Sequence, residues 1–364
     1  MAEKEKQTKP AGERNYGIDL LRLAAMFMVL CLHVYGHGGI LDRLPRLSLG
    51  YEAVWLVEFL CICCLNCYML ISGYVGVKGR YRYANLAVLW LRALFYSVLI
   101  TAAAQILAPA GVSKRDWLQA FFPVLFDRYW FFTAYFLVFL LMPVLNAACR
   151  GLTKKQLGSV ICGLLVFLSV FPTLLHVDPF YTNFGSGALW FSLAYLIGAY
   201  VRLYGLLREW SRGRLALLYL GSCLVMWGFK LAVEWRTARI GNHLMVHVSP
   251  FVLLAAVALL LLFERMRFSE RCRKLISALT PLAFSVYLIH EHPQFRSHVI
   301  GRLSFLGELP LPLMMLSHLA IVLALYVFCL AADSMREWLF RRLEIGKRLR
   351  ALEERKLGGI WDSF

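Results

Sequence analysis

Apolar runs, each close to the roughly 17–25 residues that an α-helix needs to cross a bilayer, recur along this chain and leave little else for it to fold into. Ten of them fall at 18–37, 51–75, 84–108, 129–149, 157–176, 187–205, 214–234, 243–263, 276–292 and 310–332. With 60% hydrophobic residues and a mean hydropathy of +0.62, the 364-residue chain is too apolar for a water-soluble globule. The expected class is all-α, a polytopic membrane bundle of about ten transmembrane helices. Connections are short, and the longest on the outer side, 109–128, carries Asp116, Trp117 and Phe121–Phe122 and has interfacial character. Any chemistry must then take place inside the bundle or at its mouths. The expected organisation is a disordered cytoplasmic head at 1–13, a transmembrane domain at 14–335 and a basic amphipathic cytoplasmic tail at 336–364 lying on the inner membrane surface.

The net charge of +17 invites a nucleic-acid reading, but the basic residues are sorted by topology. With the N-terminus in the cytoplasm, 27 Lys and Arg fall on the inner side and 9 on the outer, with Arg22, Arg92 and Lys230 left inside spans. The positive-inside rule and the even span count both place the two termini in the cytoplasm of a multi-pass cell-membrane protein. Attraction to anionic lipid accounts for the basicity, and no nucleic-acid partner is expected. The first span lacks a small-residue cleavage site and is expected to stay in the mature protein.

That first span, YGIDLLRLAAMFMVLCLHVYGH, holds Asp19, Arg22 and His33 within an apolar stretch. Ionisable groups at such depth cost roughly 2.5–3.5 kcal/mol on insertion scales unless they face protein or a wet cavity, so they are functional candidates. From Arg22 to His33 the helix advances about three turns, about 16 Å, along one face. A guanidinium for an anion and a proton-accepting imidazole can share that face, with Asp19 holding Arg22. Glu58 inside the second span also needs a partner, either His33 or Lys230, while Lys230 and Glu234 have the spacing of a structural pair. Cys64 and Cys67 have ligand spacing, yet crowd with Cys61 and Cys63 into one apolar span as small buried hydrophobes, and no metal site is expected. His37, His176 and His292 stand at outer helix ends, where polar residues are unremarkable.

Four segments then carry a family resemblance. Asp19 and Arg22, followed after ten residues by His33, resemble the first-helix signature of the membrane acyltransferase-3 family. The segment Asn66 to Tyr74, ending in Ser72, Gly73 and Tyr74, is similar to the end of that family's second span. Tyr129, Trp130, Tyr135 and Pro143 resemble its aromatic fourth span, and Phe284 to His290, with Tyr287, resembles its late Tyr-Leu-Ile-His motif. The resemblance implies a ten-span enzyme that moves an acyl group, usually acetyl, from acyl-CoA to a sugar hydroxyl of a cell-surface polysaccharide or lipid-linked glycan. It also implies that His33 and Arg22 are essential. Family members commonly carry Arg-x-x-Arg where the third span begins; here Arg80 and Arg82 stand in that region, with Arg92 as the alternative.

Placed on that scheme, His33 acts as base or nucleophile, with Arg22 and Asp19 beside it. Arg14, Arg80, Arg82 and Arg92, together with Ser72, Gly73 and Tyr74, are the donor-side candidates, since guanidinium forks match phosphate geometry. Ser72 to Tyr74 also fit a second role, close backbone approach with Tyr74 as an interface anchor. Glu58, Trp130, Tyr135, Tyr287, His290 and Glu291 are the candidates for binding the acceptor or orienting His33; Trp130 and Tyr135 serve equally as sugar platforms or as aromatic-belt residues. No permanently bound cofactor is expected, only acyl-CoA as cosubstrate. The competing functions are a transporter or flippase of a lipid-linked glycan, for which broken paired half-repeats are not evident, a non-catalytic sensor or scaffold, which would tolerate loss of His33, and an acyltransferase using succinyl or another donor.

Overall fold

The computed structural model describes residues 14–357, so the head at 1–13 and the last residues of the tail, 358–364, lie outside the described residues. Among the described residues there are helices and no strand. The chain opens with α1 (Tyr16–His37), a single turn α2 (Ile40–Arg43), then α3 (Leu49–Cys61), α4 (Cys64–Gly76) and α5 (Tyr83–Leu107). It continues through α6 (Lys114–Phe121), α7 (Trp130–Gly151), α8 (Lys154–Leu165), α9 (Phe171–Leu175) and α10 (Ala188–Tyr204). The last third holds α11 (Arg212–Thr237), α12 (Pro250–Glu264), α13 (Glu270–Leu279), α14 (Ala283–His290), α15 (Pro293–His298), α16 (Leu311–Arg342) and α17 (Ile345–Leu357). Eight helical segments are long and apolar enough to cross a membrane, and α10 and α12 are shorter apolar helices.

Several expected boundaries move. The eighth run begins as helix only at Pro250, because 243–249 is loop closed by Ser249 and a proline at the first helical turn. The ninth starts at Glu270, where Ser269 accepts from the Cys272 N–H, and Pro281 interrupts it with a short 3-10 turn. The tenth does not stop at 332: α16 runs on to Arg342, so the boundary placed at 336 falls inside a helix. Asp333 and Arg336 explain the extension. Arg336 grips both carboxylate oxygens of Asp333 at 2.7 Å, Tyr96 of α5 donates to the same carboxylate at 2.8 Å, and both charged residues are buried. Past it, α17 packs on α5, and Glu353 accepts the Tyr83 and Ala84 N–H groups at 2.7 and 3.1 Å.

Two features set the frame around the site. Asn15 caps α1 by accepting from Gly17 and Ile18, and its amide donates to the Glu264 carbonyl at 3.0 Å, which docks the start of α1 on the end of α12. Helices α4 and α10 cross at backbone contact. A Cβ on Gly73 would meet the Tyr195 oxygen at 1.8 Å, and one on Gly198 would meet the Leu70 oxygen at 2.0 Å.

Lys230 is wholly buried between α11 and α3, 2.7 Å from Glu52 and 2.6 Å from Glu234, with its ammonium over the Tyr51 ring at 4.2 Å. Glu234 is the expected partner; Glu52 is an added one, and Glu58 is not involved. Replacing Lys230 by Met leaves two buried carboxylates without a cation and is expected to cost about 3–5 kcal/mol. Thermal unfolding in detergent would show a large fall in Tm, recovered by adding Glu52→Gln and Glu234→Gln; an unchanged Tm for Lys230→Met would make the cluster energetically neutral.

Candidate active site

His33 lies three-quarters of the way along α1, where α14 crosses it. Its Nδ1 is 2.9 Å from Nε2 of His290, and the other nitrogen of His290, Nδ1, is 2.5 Å from the Val286 carbonyl. A carbonyl oxygen only accepts, so His290 carries its proton on Nδ1 and presents a bare Nε2. His33 must then donate from Nδ1, which leaves its own Nε2 with a free lone pair. Glu291 Oε2 stands 2.9 Å from the same His33 Nδ1 and 3.5 Å from His37 Nε2, while Arg296 donates to Glu291 Oε1 at 2.9 Å. A buried carboxylate beside an imidazole stabilises the imidazolium that forms when the ring takes a proton.

A cavity of about 200 Å³ opens beside His33, walled by Met26 and Val29 of α1, Glu58 of α3, Tyr68 of α4, Trp130 of α7 and Tyr287 of α14. Met26, Val29 and His33 follow helical spacing, and Arg22 occupies the next turn of that face. The lining is mostly apolar, with Glu58 Oε1 and His247 Nδ1 buried and without a hydrogen-bond partner among the described residues. The carboxylate against His33 is therefore Glu291, and Glu58 meets neither His33 nor Lys230 in a hydrogen bond; it faces the cavity instead. Tyr287 fixes the start of α7, its hydroxyl accepting from the Phe131 N–H at 3.2 Å. Tyr135 stacks on Phe131 one turn below Trp130.

Toward the start of α1, Asp19 is held by Arg14 at 2.5 Å and by Arg22 at 3.3 Å, and the Tyr68 hydroxyl donates to the Arg22 carbonyl at 2.8 Å. Asp19 thus orients two guanidinium groups and stands apart from His33. The other donor-side candidates do not converge on the cavity. Ser72 turns its hydroxyl to the Tyr68 carbonyl of its own helix, and Gly73 serves the α4–α10 crossing. Tyr74 is buried rather than at an interface, donating to Glu264 at 2.8 Å and accepting from Arg202 at 3.0 Å. Arg92 binds the Pro281 carbonyl and Glu337, and Arg82 lies 3.7 Å from Glu354 of α17. Arg80 sits in the connection just before Arg82.

The structure brings in His37, Arg296 and His247, which the sequence reading left aside. His37 had a legible signal, since it follows His33 by four residues on the same helical face; Arg296 and His247 had none. The ligand atoms of His33, His37 and Glu291 lie within 4.8 Å of one another, a set that could hold a metal ion, although Arg296 and His290 already engage two of its members. His292 is buried as well, 3.0 Å from Arg128 and 3.3 Å from Thr101, in a separate cluster where α5 meets α15.

Comparison with known proteins adds one finding. The model of the acyltransferase-3 family, described as an acyltransferase domain, matches residues 15–333, a stretch that runs from the cap of α1 to Asp333 and includes every residue of the His33 network. No curated protein and no solved structure matches the chain.

Proposed function

The chain belongs to the acyltransferase-3 family and is a membrane acyltransferase, and on that footing we propose that it moves an acetyl group from acetyl-CoA to a hydroxyl of a cell-surface polysaccharide or lipid-linked glycan. In this reading ten helices span the cell membrane, the eight long ones together with α10 and α12, and both termini are cytoplasmic. The observation that carries it is His33, hydrogen-bonded through Nδ1 to His290, at the wall of a mainly apolar cavity.

The donor approaches from the start of α1, where Arg14 and Arg22 offer guanidinium groups to its phosphates, and its slender thioester arm reaches along the cavity. At His33 the acceptor hydroxyl gives its proton to Nε2 as its oxygen attacks the thioester carbonyl. The new C–O bond forms, the C–S bond breaks, and the proton returns to the departing thiolate. Glu291, held by Arg296, stabilises the imidazolium between these two transfers. The same lone pair is also suited to carry the acyl group itself between donor and acceptor.

Purified protein in detergent, given acetyl-CoA labelled on the acetyl group and an oligosaccharide acceptor, is expected to release free CoA and to label the glycan. Label on a histidine after a quenched single turnover would assign the covalent route. Unchanged donor with glycan moved across a vesicle membrane would favour a transporter and end the acyl-transfer reading, and equal use of succinyl-CoA would remove the acetyl assignment.

A further inference from the structure

Beside the His33 cavity, and sharing Trp130 with it, lies a groove of about 450 Å³ along α7. Its two ends differ in chemistry. Near the start of α7 it is lined by Asp127, Trp130, Thr133 and Asn183; further along the helix by Leu137 and Leu140. Trp130, Thr133, Leu137 and Leu140 follow i, i+3, i+7, i+10 spacing, so they share one face, and from first to last the helix advances about 15 Å. Leu137 and Leu140 are 49% and 40% exposed on a helix of membrane-crossing length and hydropathy, which opens that half of the groove to hydrocarbon.

The polar end has groups left over. Thr133 Oγ1 is buried without a hydrogen-bond partner, and the exposed Asp127 carboxylate makes no hydrogen bond or ion pair among the described residues. Asp127 and Asn183 line the groove from separate connections.

We infer that this groove holds the acyl acceptor, and that the acceptor is a lipid-linked sugar. The ring of its head sits among Asp127, Trp130, Thr133 and Asn183, and its hydrocarbon chain runs along Leu137 and Leu140. An indole face packs against the C–H face of a sugar, while carboxylate, amide and hydroxyl groups exchange hydrogen bonds with its hydroxyls. A free polysaccharide has no use for the hydrocarbon-facing half. Trp130 lines both spaces, so the groove adjoins the His33 cavity. The inference rests on the acyl-transfer reading above, because only that reading brings an acyl donor to the adjoining cavity.

The test uses the full chain in lipid nanodiscs and an alkyl glucoside bearing a diazirine on its alkyl chain, with no acetyl-CoA present. Photolabel is expected within 124–140 and 183–186, competed by dodecyl glucoside and not by glucose. Trp130→Ala is expected to cut labelling about tenfold, about 1.4 kcal/mol. Asp127→Ala, at an exposed position, should lower it in the same direction with the fold intact. A diazirine fatty acid should label wild type and variants alike. Label spread evenly over the exposed faces of α11 and α16, or competed as well by glucose, overturns the groove. With acetyl-CoA added, acetylation of a free oligosaccharide as fast as of the alkyl glucoside overturns the groove and leaves acyl transfer standing. Photolabel in the groove with no acetyl transfer to any acceptor keeps a glycolipid site there and overturns both the acyl-transfer reading and the groove's role as acceptor site.

Discussion

His33→Ala is expected to lower acyl transfer about 1,000- to 10,000-fold, the upper part of the range for losing a positioned general base, while the protein still folds and binds acetyl-CoA. The size of the effect follows from the hydrogen-bond chain. The Val286 carbonyl fixes the proton of His290, His290 fixes the proton of His33, and a single lone pair is thereby left free on a ring that lines the cavity. His290 cannot take over, since its Nε2 is spent on His33 and its Nδ1 on Val286. Initial rates of label transfer, with donor binding measured separately, check the prediction; turnover within tenfold of wild type would remove His33 from the mechanism.

Glu291→Gln is expected to cost about 1,000-fold in kcat with KM little changed. In the proposed mechanism Glu291 acts through His33 as a positioning residue, so the informative comparison is between its two conservative variants. Gln keeps the shape and loses the charge; Asp keeps the charge and shortens the reach. If Glu291 works by stabilising the imidazolium, Asp restores part of the rate and Gln restores none. A packing role would reverse that order. Arg296→Ala, which releases the far oxygen of the same carboxylate, should give a smaller loss in the same direction.

The parts of the fold that are legible in the sequence are those set by solvent. A helix that lies in hydrocarbon must be apolar along its whole length, so the long spans announce themselves. Where a proline or a loop cap intervenes, as at Pro250 and Pro281, local backbone rules override hydropathy and the expected ends move. The continuation of α16 past the apolar run was hidden because Asp333 and Arg336 read as the polar end of a span; buried against Tyr96, they satisfy each other within the packed bundle.

The site divides in the same way. Arg22 and His33 are visible because one helix holds both, and periodicity alone puts them on a face. His290 and Glu291 stand out only through their motif, since nothing local says that α14 crosses α1 at His33. His37 was passed over as a helix-end residue, although it faces the same way as His33. Lys230 and Glu52 are 178 positions apart, and no spacing rule reaches that far. Gly73 and Gly198 pair across α4 and α10 by the same long-range logic.

An imidazole held with one nitrogen permanently bare is armed whether or not an acceptor has arrived, and any water reaching it could squander the donor by hydrolysis. Nothing in the histidine itself distinguishes a sugar oxygen from a water oxygen. In the proposed reaction that discrimination would fall to Met26, Val29, Tyr68, Trp130 and Tyr287, whose largely apolar surface disfavours water. Economy with the activated donor is thus a property of the walls, and side chains that never touch a proton decide how much of it is wasted.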